Sequence, residues 1–452
     1  MPETIKTIVL KGDYAMTASD KPSGTAGFSR RQALTATGLA LGSTMLPLAS
    51  RRAKAADRAQ VTFASANFYG RETIAQVVDT YNQSQSKVQV TFVQLPPPSS
   101  STEVHQALVQ QLARRNGTPD VFTQDVIWIA EFASAGWALP LDQYFGPSVR
   151  AQYFPGLIQA CTFRGKLTAL PWHVDSGMLY YRTDLLQQAG AQVPTTWADL
   201  TATAQKIQAS GGAKFGYLWQ GKQAEVLVCD LVEVIASAGG GILAPDGRTV
   251  LIAEPPAVEG VQFMYDTINK SKISPQDVLS WDEEPSRGPF TSGESVFLRN
   301  WSYVYKIAQD KTESSVVGKV GVAPLPHFPG GRSAACLGGY QYGVNAHTQN
   351  RDAAIDFITW MSSPATQLHF ATGLGLAPTR PAVFEEAQLI QQQPFMHTLK
   401  DVFVGATPRP VTPNYPQVTL VLQSAVSRAL VSGDVQTELN RAKERIATIV
   451  SS

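Results

Sequence analysis

Two carboxylates stand where this chain can meet a small molecule. Asp125 follows the short strand-like run Asp120-Val121-Phe122, and Asp175 lies in Trp172-His173-Val174-Asp175-Ser176-Gly177. A pair of acids can serve as the acid and base of a glycosidase, provided the two sit roughly 5 to 10 Å apart across the scissile bond. Sequence alone does not measure that distance. The other catalytic arrangements are absent: there is no GxSxG, HExxH, phosphate loop or nicotinamide fingerprint. His173 has no serine or cysteine partner at a helix start. Cys161, Cys229 and Cys336 lack CxxC spacing, which argues against a zinc site or a disulfide framework and marks them as small buried hydrophobes. No cofactor or metal is therefore expected.

The elements that position Asp125 and Asp175 alternate between strand and helix. Val61-Thr62-Phe63-Ala64 reads as a buried strand, Glu72 to Gln83 as an amphipathic helix and Val88 to Leu95 as a second strand, which makes a βαβ unit. A Pro/Ser-rich loop and the helix Thr102 to Arg115 lead to a third strand, Asp120 to Phe122, and a helix from Val126 to Ala135 that Gly136 closes. Such alternation favours a mostly parallel sheet covered on both faces, and ligands of these sheets sit at the carboxyl ends of the strands. Asp125 lies at such an end. The run from Gly165 to Arg182 reads as one long strand. Helices follow at Trp197 to Ser210, Ala224 to Ala238, Pro255 to Ser271 and Arg351 to Met361, with a strand from Val320 to Pro324 and a helical tail from Gln417 to Ser451 broken near Gly433.

At 452 residues the chain exceeds one ordinary core and suits two lobes of roughly 150 to 200 residues each. Lys plus Arg (37) and Asp plus Glu (36) nearly cancel, and no long basic block occurs past the N-terminus, so nucleic acid is not an expected partner. The N-terminus carries Ser29-Arg30-Arg31-Gln32, then an apolar run from Ala33 to Ala49, then the small-residue box Ala53-Lys54-Ala55. That order is an export signal rather than a spanning helix, and the paired arginines resemble the twin-arginine motif, with Ala33 where the motif prefers Phe. Residues 1–55 are thus expected to be a twin-arginine-type signal with a polar extension, in which Met16 is an alternative start. No cysteine follows the apolar run, so no lipid anchor is expected, and the product is expected to be soluble in a periplasm.

Several motifs together resemble one family. Pro119-Asp120-Val121-Phe122-Thr123-Gln124-Asp125, Ala169-Leu170-Pro171-Trp172-His173-Val174-Asp175, Trp219-Gln220-Gly221, Phe290-Thr291-Ser292-Gly293-Glu294, Arg299-Asn300-Trp301-Ser302-Tyr303 and Val320-Gly321-Val322-Ala323-Pro324 look like the trehalose/maltose-binding proteins of ABC importers. The resemblance implies an α/β fold, a two-lobed periplasmic-binding-protein clamp with three interlobe crossings. Residues 57–171 plus 325–363 would form the first lobe and 172–324 plus 364–452 the second. It implies a monomer that closes around an α-glucosidic disaccharide or similar small sugar by hinge motion and presents it to the importer's membrane subunits. It also implies no enzyme activity. Sucrose, glucosylglycerol, and a chemotaxis role without transport remain open alternatives.

The resemblance also implies a ligand set. A sugar offers an apolar C–H face for an aromatic ring and a hydroxyl rim for carboxylates, amides and guanidinium groups. Asp125 and Asp175 match carboxylates that the family places on hydroxyls, Trp301 and Tyr303 match its stacking aromatics, and Gly338-Gly339-Tyr340 matches two glycines followed by Trp. Tyr340 offers a smaller stacking face than the Trp it replaces. Arg380 matches a ligand-contacting Arg, Glu72 roughly matches a glutamate, and Gln220 is placed to face the cleft. Each has a structural alternative: a helix N-cap for Asp125, a backbone hydrogen bond for Asp175, loop packing for the aromatics and a salt bridge for Arg380.

The signal reading is testable by fractionation. With both Arg30 and Arg31 changed to Lys, the precursor is expected to remain in the cytoplasm, whereas wild type is cleaved after Ala55; an unchanged periplasmic yield would assign export to the general secretory route.

Overall fold

The computed structural model describes residues 58–68 and 74–451; the export signal and Glu72 lie outside the described residues. The first sheet begins with Ala59–Ala66 and Val88–Leu95, parallel along their full length. The helix Ile74–Ser84 joins them, and its buried residues Ile74, Val77, Val78 and Tyr81 fall on one stripe at helical spacing. Burial of each such side chain stabilises by about 1.5–3 kcal/mol before chain entropy is counted. Val121–Asp125 pairs parallel to Ala59–Ala66, and Tyr340–Val344 and Leu170–Pro171 extend the sheet antiparallel, in the order 88–95, 59–66, 121–125, 340–344, 170–171. Asp125 is the last residue of its strand, not a loop residue beyond it. The helix expected from Val126 opens with one 3-10 turn, Val126–Trp128, before the α-helix Ile129–Ser134.

A second sheet orders Val320–Ala323, Met178–Arg182, Ser295–Asn300 and Phe215–Leu218. Helices Trp197–Ala209, Glu225–Ser237, Pro255–Asn269, Tyr415–Ser432 and Val435–Ser451 surround it and share one apolar core with it. The break in the tail is Gly433, whose left-handed φ of 80° ends Tyr415–Ser432. These two layers, each with its own core, are the two lobes.

The run from Gly165 to Arg182 is not one strand. It divides into Lys166–Leu167, Leu170–Pro171, His173–Ser176 and Met178–Arg182, because successive pieces join different sheets. Pro171 has no N–H to continue a ladder. At Gly177 a Cβ would come within 2.6 Å of the Arg299 guanidinium, so only glycine lets the strand pass over it. His173–Ser176 pairs antiparallel with both Leu337–Gly338 and Ala377–Pro378, making a small three-stranded ribbon from three distant parts of the chain. His173–Ser176 and Leu337–Gly338 each lie in sequence between strands of the two large sheets, and Ala377–Pro378 follows the last of them.

The first lobe is fastened by Asp120, which is buried at the start of its third strand. One carboxylate oxygen accepts the Thr62 backbone N–H at 2.8 Å and the Thr62 hydroxyl at 2.7 Å, while the other accepts from Thr348 and from Asn350. Asp120→Ala strands those donors and is expected to cost about 2–4 kcal/mol of unfolding free energy in a denaturant titration. An unchanged midpoint would mean that water replaces the carboxylate without loss.

Candidate functional site

The carboxyl end of Val121–Asp125, the ribbon and the near edge of the second lobe enclose a cleft of about 770 Å³, part of it open to solvent. Asp125, Asp175, Trp301, Tyr303, Gly338, Gly339 and Tyr340 all line it. Seven residues from four regions of the sequence therefore meet at one place. Gln220 and Arg380 do not line it, and this corrects the expectation for both. Gln220 is fully buried beneath the site, donating to Ser286 Oγ at 2.7 Å and to the Arg299 carbonyl at 2.8 Å. Arg380 is spent elsewhere: it donates to the Ser362 carbonyl at 2.8 Å and the Tyr153 hydroxyl at 2.7 Å, and its guanidinium covers the Tyr153 ring at 4.1 Å.

The ribbon sets the floor. Gly339 has φ of +108°, and a Cβ there would stand 2.3 Å from the His173 carbonyl oxygen, so no other residue fits. The next backbone N–H, that of Tyr340, donates to His173 Nε2 at 3.2 Å, which leaves the proton of the neutral ring on Nδ1. Burial holds His173 down to about 3, so it is uncharged at neutral pH. Phe68 meets the rings of His173 and Tyr340 edge-on, each at 5.2 Å between centroids. The Tyr340 ring is thereby fixed.

The second lobe supplies the opposite wall. Trp301 follows the strand Ser295–Asn300; its backbone N–H donates to Asn300 Oδ1 at 2.8 Å, and its indole N–H donates to Glu283 Oε1 at 3.3 Å. The Arg299 guanidinium stacks on the Trp301 ring at 4.2 Å while donating to Glu233 from Nε at 2.7 Å and from a terminal nitrogen at 2.5 Å. Asp175 Oδ1 accepts the backbone N–H groups of Ser176 at 2.9 Å and Ser302 at 3.0 Å. Asp125 accepts the Ile127 N–H at 3.2 Å, so it does cap the following turn, and it also accepts from Arg409 at 3.2 Å. Capping and facing the cleft coexist in this side chain.

Sequence reasoning missed three charged residues here: Glu225, Glu283 and Arg409. Arg409 donates to Glu225 at 2.9 Å and to Asp125 at 3.2 Å, so one guanidinium joins a strand end of the first lobe to a helix start of the second. Glu225 further accepts from Tyr415 and from Thr419. A signal was available: the helix Glu225–Ser237 buries almost every residue yet carries Glu225, Asp230 and Glu233, and a buried acid demands a cation or a proton. Arg409 was hidden in the extended segment Pro408-Arg409-Pro410, which has no periodicity to read.

Burial dominates the electrostatics. It pushes Asp175 up to about 6 and Glu283 up to about 7, and it raises Asp125 despite the offset from Arg409. The ordinary values are 3.8 and 4.5 for Asp175 and Glu283, so the folded protein keeps both protons to higher pH than the unfolded chain does. Stability from these groups is present below about pH 4 and is lost as pH rises through about 6 to 7. Asp175→Asn and Glu283→Gln cannot ionise, so in melting experiments without ligand each variant is expected to gain on wild type between pH 4 and 8. A wild-type-minus-variant difference that stays flat over that window would show that the carboxyls titrate normally.

The family model of bacterial extracellular solute-binding proteins matches residues 67–368. A probable ABC transporter-binding protein of Deinococcus radiodurans is 37% identical over 350 residues, which is 75% of this chain and 81% of that protein. The mannitol-binding protein of Pseudomonas aeruginosa is 23% identical over 84% of both chains. Among solved structures, maltose-bound MalE3 of T. maritima superposes with a TM-score of 0.79 at 38% identity, covering 87% of this chain and 99% of that one. With the match extending over most of the chain and the cleft lying between two α/β lobes, the protein belongs to the bacterial extracellular solute-binding protein family.

Proposed function

We propose that this protein captures a small sugar or polyol in the cleft, of which an α-glucosidic disaccharide such as trehalose or maltose is the first candidate, and delivers it to an ABC importer outside the cytoplasm. The observation that carries this reading is the pairing of a half-buried tryptophan face with four carboxylates and a guanidinium around one cleft of about 770 Å³. Ring faces and hydroxyl rims ask for that combination. On this reading the ligand is held without covalent chemistry, and the ribbon of three short strands is the hinge about which the lobes close over it. The relatives support the same class: one is a mannitol-binding protein, and one solved structure holds maltose.

Calorimetric titration of the purified protein with α-glucosides and hexitols tests the reading. At least one is expected to bind with Kd of order 0.1–10 μM, equivalent to roughly 7–10 kcal/mol. Asp125→Ala and Asp175→Ala are each expected to weaken it by about 10-fold to over 100-fold, because hydroxyls then lose charged partners inside a closed cleft. Trp301→Ala is expected to cost at least as much. Tight binding of a peptide, metal or anion with no heat from any sugar or polyol would overturn the proposal. Steady release of glucose that Asp175→Asn abolishes would replace it with a hydrolase.

A further inference from the structure

Among the described residues, the cleft is short of positive charge: four carboxylates line it (Asp125, Asp175, Glu225 and Glu283), and Arg409 is its one basic side chain. Arg409 is already matched twice, by Asp125 and Glu225. The cations behind the wall are matched as well. Arg299 is bound by Glu233 and lies 3.7 Å from Asp230, and Lys222 pairs with Asp282 at 2.7 Å. His173 is held neutral by burial. Asp175 is met by backbone N–H groups, and Glu283 by the Trp301 indole; Glu283 Oε2 is buried without a hydrogen-bond partner.

Glu283 and Asp175 bracket Trp301 and Ser302, one bonded to the indole and the other to the next backbone N–H. Two acids beside an aromatic ring form the chemistry that holds an ammonium group, through charge-assisted hydrogen bonds and the ring quadrupole. Resting on the sugar reading above, we propose that the preferred ligand is a sugar or polyol carrying a basic nitrogen, whose ammonium lies against Glu283 and Asp175 beside Trp301. A neutral sugar leaves these carboxyls to be buried as acids or as unmatched charges. An amino sugar lets them ionise and be paired, and it fills the vacant acceptor on Glu283.

The test compares trehalose with trehaloses carrying an amine at the 2, 4 or 6 position, and with the N-acetyl derivative of each amine, by calorimetry at pH 7.5. At least one amino-trehalose is expected to bind 10-fold or more tightly than both trehalose and its own N-acetyl derivative. The preference should grow between pH 5.5 and 7.5, because the carboxyls ionise over that range while the amine stays protonated through most of it. In Glu283→Gln, whose amide keeps an acceptor for the indole, the ratio of amine to neutral affinity should fall toward unity. Amines that bind no better than neutral parents, or a preference that Glu283→Gln leaves intact, would overturn this proposal and leave the sugar reading standing. No binding by any member, neutral or amino, together with none in the wider sugar and polyol series, would overturn both.

Discussion

A carboxylate taken out of water has to be met by a cation, by several donors or by a proton, and the second lobe is organised around that demand. Its buried helix Glu225–Ser237 carries Glu225, Asp230 and Glu233 on a segment with almost no solvent contact. Arg299 answers Glu233 and approaches Asp230, and Arg409 answers Glu225. Both guanidinium groups then have a second engagement at the cleft. Arg299 supports the Trp301 ring from behind, and Arg409 reaches across to Asp125 in the other lobe. The charge pairing that makes the core tolerable also fixes the position of the aromatic wall and couples the two lobes.

The same logic explains the glycines and amides around the site. Gly177 lets the chain cross close over the Arg299–Glu233 pair, and Gly339 lets it turn against the His173 carbonyl. Gln220 accepts from Arg299 at 3.0 Å and passes donors to Ser286 and to the Arg299 carbonyl, so it holds the guanidinium rather than a ligand. Its place beneath the cleft is one layer too deep for the role its sequence neighbourhood implied.

Legibility in the sequence followed the periodicity of the elements. Ile74–Ser84 and Arg351–Met361 present clean apolar stripes, and the strand Val88–Leu95 has the bounds that its composition indicates. Ser295–Asn300 was not legible as a strand: it is buried on both faces, and its buried Arg299 and Asn300 break any alternation. Asp125, Asp175 and Trp301 could be picked out because family-like motifs surround them. Arg409 could not, since its placement depends on tertiary pairing with Glu225 and Asp125, each more than a hundred residues away. Arg380 was misplaced for the converse reason: an arginine after Ala377-Pro378 suits a cleft, yet Tyr153 and Ser362 claim it.

The composition of the second core also sets the order in which the protein can be completed. Leu179 and Phe297 pack in one cluster with Val418, Leu422, Leu439 and Ile446, so that core draws on residues separated by most of the chain. A ribosome that has released the first lobe's opening βαβ unit has not yet made the helices that close the second. Helices Trp197–Ala209, Glu225–Ser237 and Pro255–Asn269 cover part of that interior early, but the side that Tyr415–Ser432 and Val435–Ser451 close stays open until those two helices have been made.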